Sequence, residues 1–192
     1  MAANLRDAKA RIRDQVGLSL KNVSPMDRAL PSRQICDLLR RQRIWKSAGS
    51  VLFFAPQPAE PDIWPLLEES LEAGKVVALP RFSRESGVYV VCRLADPERE
   101  LKSGPLRIRE PDKSCPVVEM NRLDLILVPG VAFDLRGGRL GRGKGYYDRL
   151  LAGARGTKCG VAFDEQIVSE IPVEPHDVRL NCILTPTRWI ET

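Results

Sequence analysis

The chain has 192 residues with 30 Lys/Arg against 25 Asp/Glu, a net charge of +5, and 43% apolar residues. That length and ordinary composition predict one globular domain with a real core. No apolar run is long enough to span a bilayer, and the N-terminal MAANLRDAKARIRDQV is charged throughout with no apolar signal core, so a cytoplasmic protein with no membrane partner is expected. Five cysteines (Cys36, Cys92, Cys115, Cys159, Cys182) are scattered without a C-x-x-C, so they read as reduced, buried small hydrophobes. With a single histidine, His176, and no G-x-S-x-G, a zinc site and most Ser-His-Asp or Cys-His arrangements fall away.

The charge is uneven. Residues 1–50 hold 11 Lys/Arg and 4 Asp/Glu, residues 135–158 hold 7 and 1, and the remainder is net acidic. Two basic segments on an otherwise acidic chain point to a local anion site rather than a general nucleic-acid surface.

Leu5, Ala8, Ile12 and Val16 recur at helical spacing and predict an amphipathic first helix. Lys9 and Arg13 are four apart and share a face, which by itself implies only solubility. Ser24 and Asp27 mark a helix start around Pro25, Pro31 would kink or restart that helix, and Ile35, Leu38 and Leu39 supply its buried side. Ser50 to Ala55 predicts a buried strand, followed by a loop to Asp62 and a helix ending near Gly74. Glu60 lies on that loop, at the carboxyl end of a strand, where open α/β sheets build their sites. Equally, it serves as a helix N-terminal acid worth roughly 0.3–1 kcal/mol. Lys75 to Pro80 is the next strand; Arg81 after it is either an anion ligand or a loop cation. Val88 to Leu94 predicts another strand, and the proline-rich, charged residues 95–118 a surface excursion.

Leu123 to Val128 reads as a strand buried on both faces and stopped by Pro129-Gly130. The following loop carries six glycines (Gly130, Gly137, Gly138, Gly141, Gly143, Gly145) and four cations (Arg136, Arg139, Arg142, Lys144), and Tyr146 to Leu151 begins a helix. Strand, glycine-rich basic loop and helix is an arrangement that binds phosphate. Gly138 to Lys144 fits G-x-x-x-x-G-K, but Gly145 stands where the Mg²⁺-holding Ser or Thr of a nucleotide hydrolase would be. A metal would need another ligand, and Asp148 is the nearest carboxylate. The alternative is a flexible basic loop binding RNA nonspecifically. Lys158 to Phe163 predicts a further strand, and Asn181 to Leu184 with Trp189-Ile190 closes the sheet near an edge. With no repeats or linkers, residues 1–192 form a single α/β domain of three layers around a mostly parallel central sheet.

Residues 129–151, PGVAFDLRGGRLGRGKGYYDRLL, resemble the signature of the 5-formyltetrahydrofolate cyclo-ligase (5,10-methenyltetrahydrofolate synthetase) family. The resemblance implies a Rossmann-like fold related to sugar-phosphate isomerases and CoA transferases. It implies ATP- and Mg²⁺-dependent ring closure of 5-formyltetrahydrofolate to 5,10-methenyltetrahydrofolate. The formyl oxygen is phosphorylated, the 10-nitrogen attacks, and phosphate leaves. Lys9-Ala10-Arg11-Ile12-Arg13 matches the family's ATP-contacting K-x-x-[LI]-R. Arg139, Leu140, Gly141, Arg142, Gly143, Lys144, Gly145, Tyr146 and Tyr147 complete the implied ATP site, with Arg142 and Lys144 as the catalytic cations. Arg13, Ala55, Glu60, Arg142, Gly143, Lys144, Gly145 and Tyr146 are the implied substrate contacts, Glu60 facing the pterin. Tyr146 and Tyr147 either stack on a flat ring or serve as core aromatics. Asp148 and Asp177 are the implied Mg²⁺ ligands. Leu106 to Pro111 resembles the family's "gIrEP" segment, to which no role is assigned, and Asp164 to Ile167 also resembles the family. The pattern H-D-x-x-x-D is kept at His176-Asp177 but ends in Asn181, which retains a hydrogen bond and loses a charge. The implied partners are ATP and the folate, and the chain is expected to act as a monomer. A diverged paralogue acting on another substrate, a nucleic-acid-binding module and a sugar-phosphate isomerase are the rival readings.

Overall fold

The computed structural model describes residues 2–21, 23–24, 26–104, 108–174 and 177–192. The chain begins with α1 (Ala2–Lys21), α2 (Ala29–Arg41) and α3 (Arg43–Ser47). Ser24 Oγ accepts the Asp27 N–H at 3.2 Å and donates to its carboxylate at 2.7 Å, but this pair closes a turn ahead of the helix and does not cap it: α2 starts at Ala29, with Arg28 at its N-cap and no side-chain cap bond. Pro25 lies outside the described residues. Pro31 causes no kink. It occupies the first turn of α2, where a missing N–H has no intrahelical acceptor to lose.

Strand β1 (Ser50–Leu52) is followed by α4 (Trp64–Glu72), β2 (Val76–Ser83) and β3 (Val88–Leu94). The segment expected to be a surface excursion is instead structured. It holds a turn of helix, α5 (Pro97–Glu100), and an antiparallel pair, β4 (Leu101–Ser103) and β5 (Arg109–Pro111), with Leu101, Glu110 and Cys115 buried. Arg81 donates to the Asp112 carbonyl at 2.7 Å, which makes it a tie for this segment. Leu106 and Arg107 lie outside the described residues.

Then come β6 (Leu125–Val128), β7 (Ala132–Asp134), β8 (Arg139–Leu140), α6 (Tyr146–Leu151), β9 (Thr157–Val161), β10 (Ile167–Val168), β11 (Cys182–Leu184) and β12 (Trp189–Glu191). The main sheet runs β12-β11-β9-β6-β1-β2-β3, with the five inner strands parallel and both edges antiparallel. Alternating residues divide between two faces. Val51, Leu125, Leu127 and Leu184 pack with Leu39 of α2 and Leu67 of α4; Leu52, Ile126, Val128 and Ile183 pack with Leu150 and Leu151 of α6. The result is a three-layer α/β domain with a mostly parallel sheet. All five cysteines are free and buried. Among the described residues no helix is long and apolar enough to cross a membrane.

The glycine-rich segment is not one continuous loop. Ala132–Asp134 and Arg139–Leu140 pair as a hairpin, with Ala132 opposite Leu140. Asp134 holds its turn: Oδ1 accepts the N–H of Arg136 (2.9 Å) and of Gly138 (2.8 Å), and Oδ2 accepts that of Ile171 (2.8 Å). Gly138 therefore belongs to a β-turn, so the G-x-x-x-x-G-K match does not describe a phosphate loop. A buried, alternating A-F-D that pairs with R-L overrides the loop composition between them.

From β1 the chain moves to β2 on one side; from β6 it moves to β9 and β11 on the other. The strand order reverses between β1 and β6, where doubly wound sheets open a crevice beyond their carboxyl ends.

Candidate active site

A cavity of 1110 Å³ opens at that reversal. It exceeds the roughly 300–1,000 Å³ usual for a small-molecule site. Its floor is built by the chain leaving β1 (Phe54, Ala55, Gln57, Glu60) and the chain leaving β6 (Pro129, Gly130). The buried Gln166, in the 3-10 turn Asp164–Gln166, donates to the carbonyls of Gly130 (2.8 Å) and Val131 (3.1 Å) and so pins the exit from β6. A second, open cavity of 400 Å³ lies at the amino ends of the strands, around Asp124 and Arg155, away from the reversal.

One rim is cationic. Gly141 to Gly145 runs from β8 to α6 along the cavity wall. Gly143 (φ 90°) and Gly145 (φ 63°) adopt left-handed backbone that a side chain would strain, and this bends the turn around Arg142 and Lys144. Arg13 Nε donates to the Gly141 carbonyl at 2.9 Å, docking α1 onto the turn. Lys9, one helical turn earlier, bonds Glu174 (2.8 Å) and Asp177 (2.9 Å). Burial opposes the Lys9 charge, but the hydrogen bonds and charges of Glu174 and Asp177 outweigh it and raise its pKa. Ala10 and Arg11 are exposed elsewhere on α1, and Ile12 packs on the core. His176 lies outside the described residues.

Arg139 is buried under the turn, paired to Asp148 at 2.8 Å and set 5.5 Å over the Tyr147 ring. Arg142 is exposed and donates to Glu60 Oε1 at 3.1 Å, while Glu60 Oε2 accepts the Gln57 N–H at 3.0 Å. Burial raises the Glu60 pKa against the opposing pull of Gln57 and Arg142. The Lys144 ammonium has no hydrogen-bond or ion-pair partner among the described residues.

The other wall is aromatic. Tyr146 packs edge-on against Phe82 (5.3 Å) and Tyr89 (5.5 Å), and Tyr89 lies 6.1 Å from Tyr147. Both tyrosines of the GKGYYD run thus join an aromatic cluster and line the cavity, and Tyr147 also packs against the core. Burial pushes the Tyr147 hydroxyl pKa far up.

Asp148 and Asp177 line the same cavity as the cationic turn, each already engaged with a cation. Among the described residues no group of three or more His, Cys, Asp or Glu could cage a metal alone. Hard carboxylate oxygens beside a cationic glycine turn fit Mg²⁺ shared with phosphate and water, its usual protein environment. Asn181 sits before β11, at the opposite end of the sheet, where its side chain accepts the Lys158 N–H at 2.9 Å. The departure from H-D-x-x-x-D therefore leaves the cavity wall untouched. Tyr89, Ile108, Glu110 and Glu174 also line the cavity; Ile108 and Glu110 fall in the segment that resembles the family's "gIrEP", to which the sequence assigned no role, and Tyr89 and Glu174 were not singled out. Strand alternation in β3 was the one signal that could have singled out Tyr89.

The model of the "5-formyltetrahydrofolate cyclo-ligase family" matches residues 6–186. The chain is 37% identical over 145 residues to an Escherichia coli 5-formyltetrahydrofolate cyclo-ligase, covering 73% of this chain and 80% of that one. A mouse relative of the same name is 27% identical over 194 residues, covering 95% and 96%. The NMR structure of Aquifex aeolicus 5,10-methenyltetrahydrofolate synthetase superposes with a TM-score of 0.85 at 33% identity, covering 95% of this chain and 92% of that one.

Proposed function

Because this chain belongs to the 5-formyltetrahydrofolate cyclo-ligase family and is an enzyme of it, we propose that its cavity closes 5-formyltetrahydrofolate to 5,10-methenyltetrahydrofolate at the expense of ATP. The observation that carries this reading is one large cavity with two chemically different ends: a cationic glycine turn, and an aromatic wall with the buried Glu60.

An amide oxygen is a poor leaving group, and phosphoryl transfer to it makes it a good one. The 10-nitrogen then attacks the formyl carbon, loses its proton, and phosphate departs. No protein nucleophile is needed, so the chain's task is positioning and charge stabilisation. Arg142, Lys144 and the backbone N–H groups of Gly141 to Gly145 hold phosphate oxygens. Lys9 and Arg13 close from α1, and Arg139 supports the turn from below. Glu60, released from Arg142, accepts from the amidine-like donors of the pterin beside Ala55, and Tyr146 covers the ring. Mg²⁺, when bound, neutralises phosphate charge. Asp148 and Asp177 are the residues that would hold it.

The test is the methenyl-folate absorbance that develops with purified protein, 5-formyltetrahydrofolate and MgATP. Lys144→Ala should lose at least about a hundredfold in kcat/KM, the scale of one charge-stabilising donor, with an unchanged melting temperature. Turnover like the wild type in that variant would remove the phosphate-holding role; no chromophore from the wild type would remove the reaction.

A further inference from the structure

On the far wall of the cavity, β5 carries a charged group that the ring closure leaves unused. Glu110 is 6% exposed and lines the cavity. Its Oε2 accepts the Phe82 N–H at 3.2 Å. Its Oε1 has no hydrogen-bond partner among the described residues. Among the described residues the cation whose charge bears on it is Arg81, which donates to the Asp112 carbonyl. Burial raises the Glu110 pKa, with the Phe82 N–H and the Arg81 charge pulling the other way. Oε1 is not sealed in the interior and opens to the cavity, and a largely buried carboxylate with a single protein hydrogen bond is costly. A neutral acceptor would tie β5 to β2 as well and without that cost.

We propose that Glu110 is a second carboxylate of the substrate pocket and accepts an N–H of the pterin ring that Glu60 leaves unpaired. This rests on the reading that 5-formyltetrahydrofolate occupies the cavity. A reduced pterin keeps a flat pyrimidine ring and carries N–H donors on more than one edge. The wall between the two carboxylates is the surface such a ring stacks on: Tyr89 and Tyr146, with Pro80 and Ile108 beside them. Adenine, the other flat ring of the reaction, presents one amino group and otherwise acceptors, which a pair of carboxylates repels. Two acceptors on an aromatic wall therefore select the pterin end of the cavity, and the cationic turn selects the phosphate end. Phe82 connects them, since its N–H holds Glu110 and its ring packs on Tyr146.

The experiment is equilibrium titration of the wild type and Glu110→Gln with 5-formyltetrahydrofolate and, separately, with MgATP, alongside thermal unfolding. Glutamine keeps the shape and an oxygen for the Phe82 N–H but replaces the second acceptor by a donor. The folate Kd should rise about tenfold or more, the value of a hydrogen bond to a charged group, while the MgATP Kd and the melting temperature hold. Unchanged folate affinity overturns the proposal, and so does parallel weakening of both ligands. Loss of the fold in Glu110→Gln would also overturn it, by assigning the carboxylate to structure. A wild type that binds no folate sinks the underlying reading as well; a wild type that binds it with no effect of the substitution sinks the Glu110 assignment alone.

Discussion

Arg139 and Asp148 form the most enclosed ion pair of the site, with side-chain exposures of 3% and 18%. Removing one member of such a pair strands the other charge. Asp148→Asn keeps an acceptor for Arg139, so the expected destabilisation is about 1–3 kcal/mol, read as a lower melting temperature without any ligand. The same substitution should raise the Mg²⁺ concentration needed for half-maximal turnover. An unchanged Mg²⁺ titration with a lowered melting temperature would assign Asp148 to Arg139 alone. Helical spacing put Lys9 and Arg13 on one face, which by itself implied only solubility; the resemblance of Lys9 to Arg13 to the family's K-x-x-[LI]-R made them ligand candidates, and both reach the cavity. Their partners were not legible in the sequence. Glu174 and Asp177 lie 165 and 168 positions from Lys9, and local periodicity carries no information at that separation.

The strands show the same division. Leu125 to Val128 is fully buried, as a continuous apolar run demands, and Val88 to Leu94 spans the stretch its composition predicts. Ile126 is fully buried against the layer that contains α6. Ile126→Ala should cost about 2–5 kcal/mol, measured as a lower denaturant midpoint at constant slope. The segment Ala132–Leu140 reads as loop in the sequence because its glycines and arginines outnumber two short strands that are buried on both faces and so show no alternation. What holds it as a hairpin is the buried Asp134 carboxylate taking three backbone N–H groups, one of them from Ile171. Likewise 95–118 looks polar, yet Leu101, Glu110 and Cys115 are buried because β5 packs on β2.

Across the domain, the two cavity acids with raised pKa, Glu60 and Glu110, make stability depend on pH in one direction. Glu60 has its pKa raised above the ordinary 4.5, chiefly by burial. The folded state therefore holds that proton more tightly than the unfolded chain. Its contribution to stability is full below pH 4.5 and is lost as pH rises through the raised value. Glu60→Gln removes this slope. The difference in melting temperature between variant and wild type should grow in the variant's favour as pH rises above that of an ordinary carboxylate. Equal melting profiles across that range would contradict the raised pKa. The Arg142 partner moderates the effect without reversing it.

Local pattern alone was enough for the alternation of helices and strands, the burial of the β6 run and the concentration of cations around Gly141 to Gly145. Each of these depends on side chains within a few positions of one another. Only the folded chain set which residues face those cations. The parallel strand order β9-β6-β1-β2 brings the exits of β1 and β6 together, lays α1 across them, and seats Glu110 on the opposite wall. Strand order is decided by how whole faces bury against each other, and chain segments that meet only at that stage leave no mark on their own neighbours.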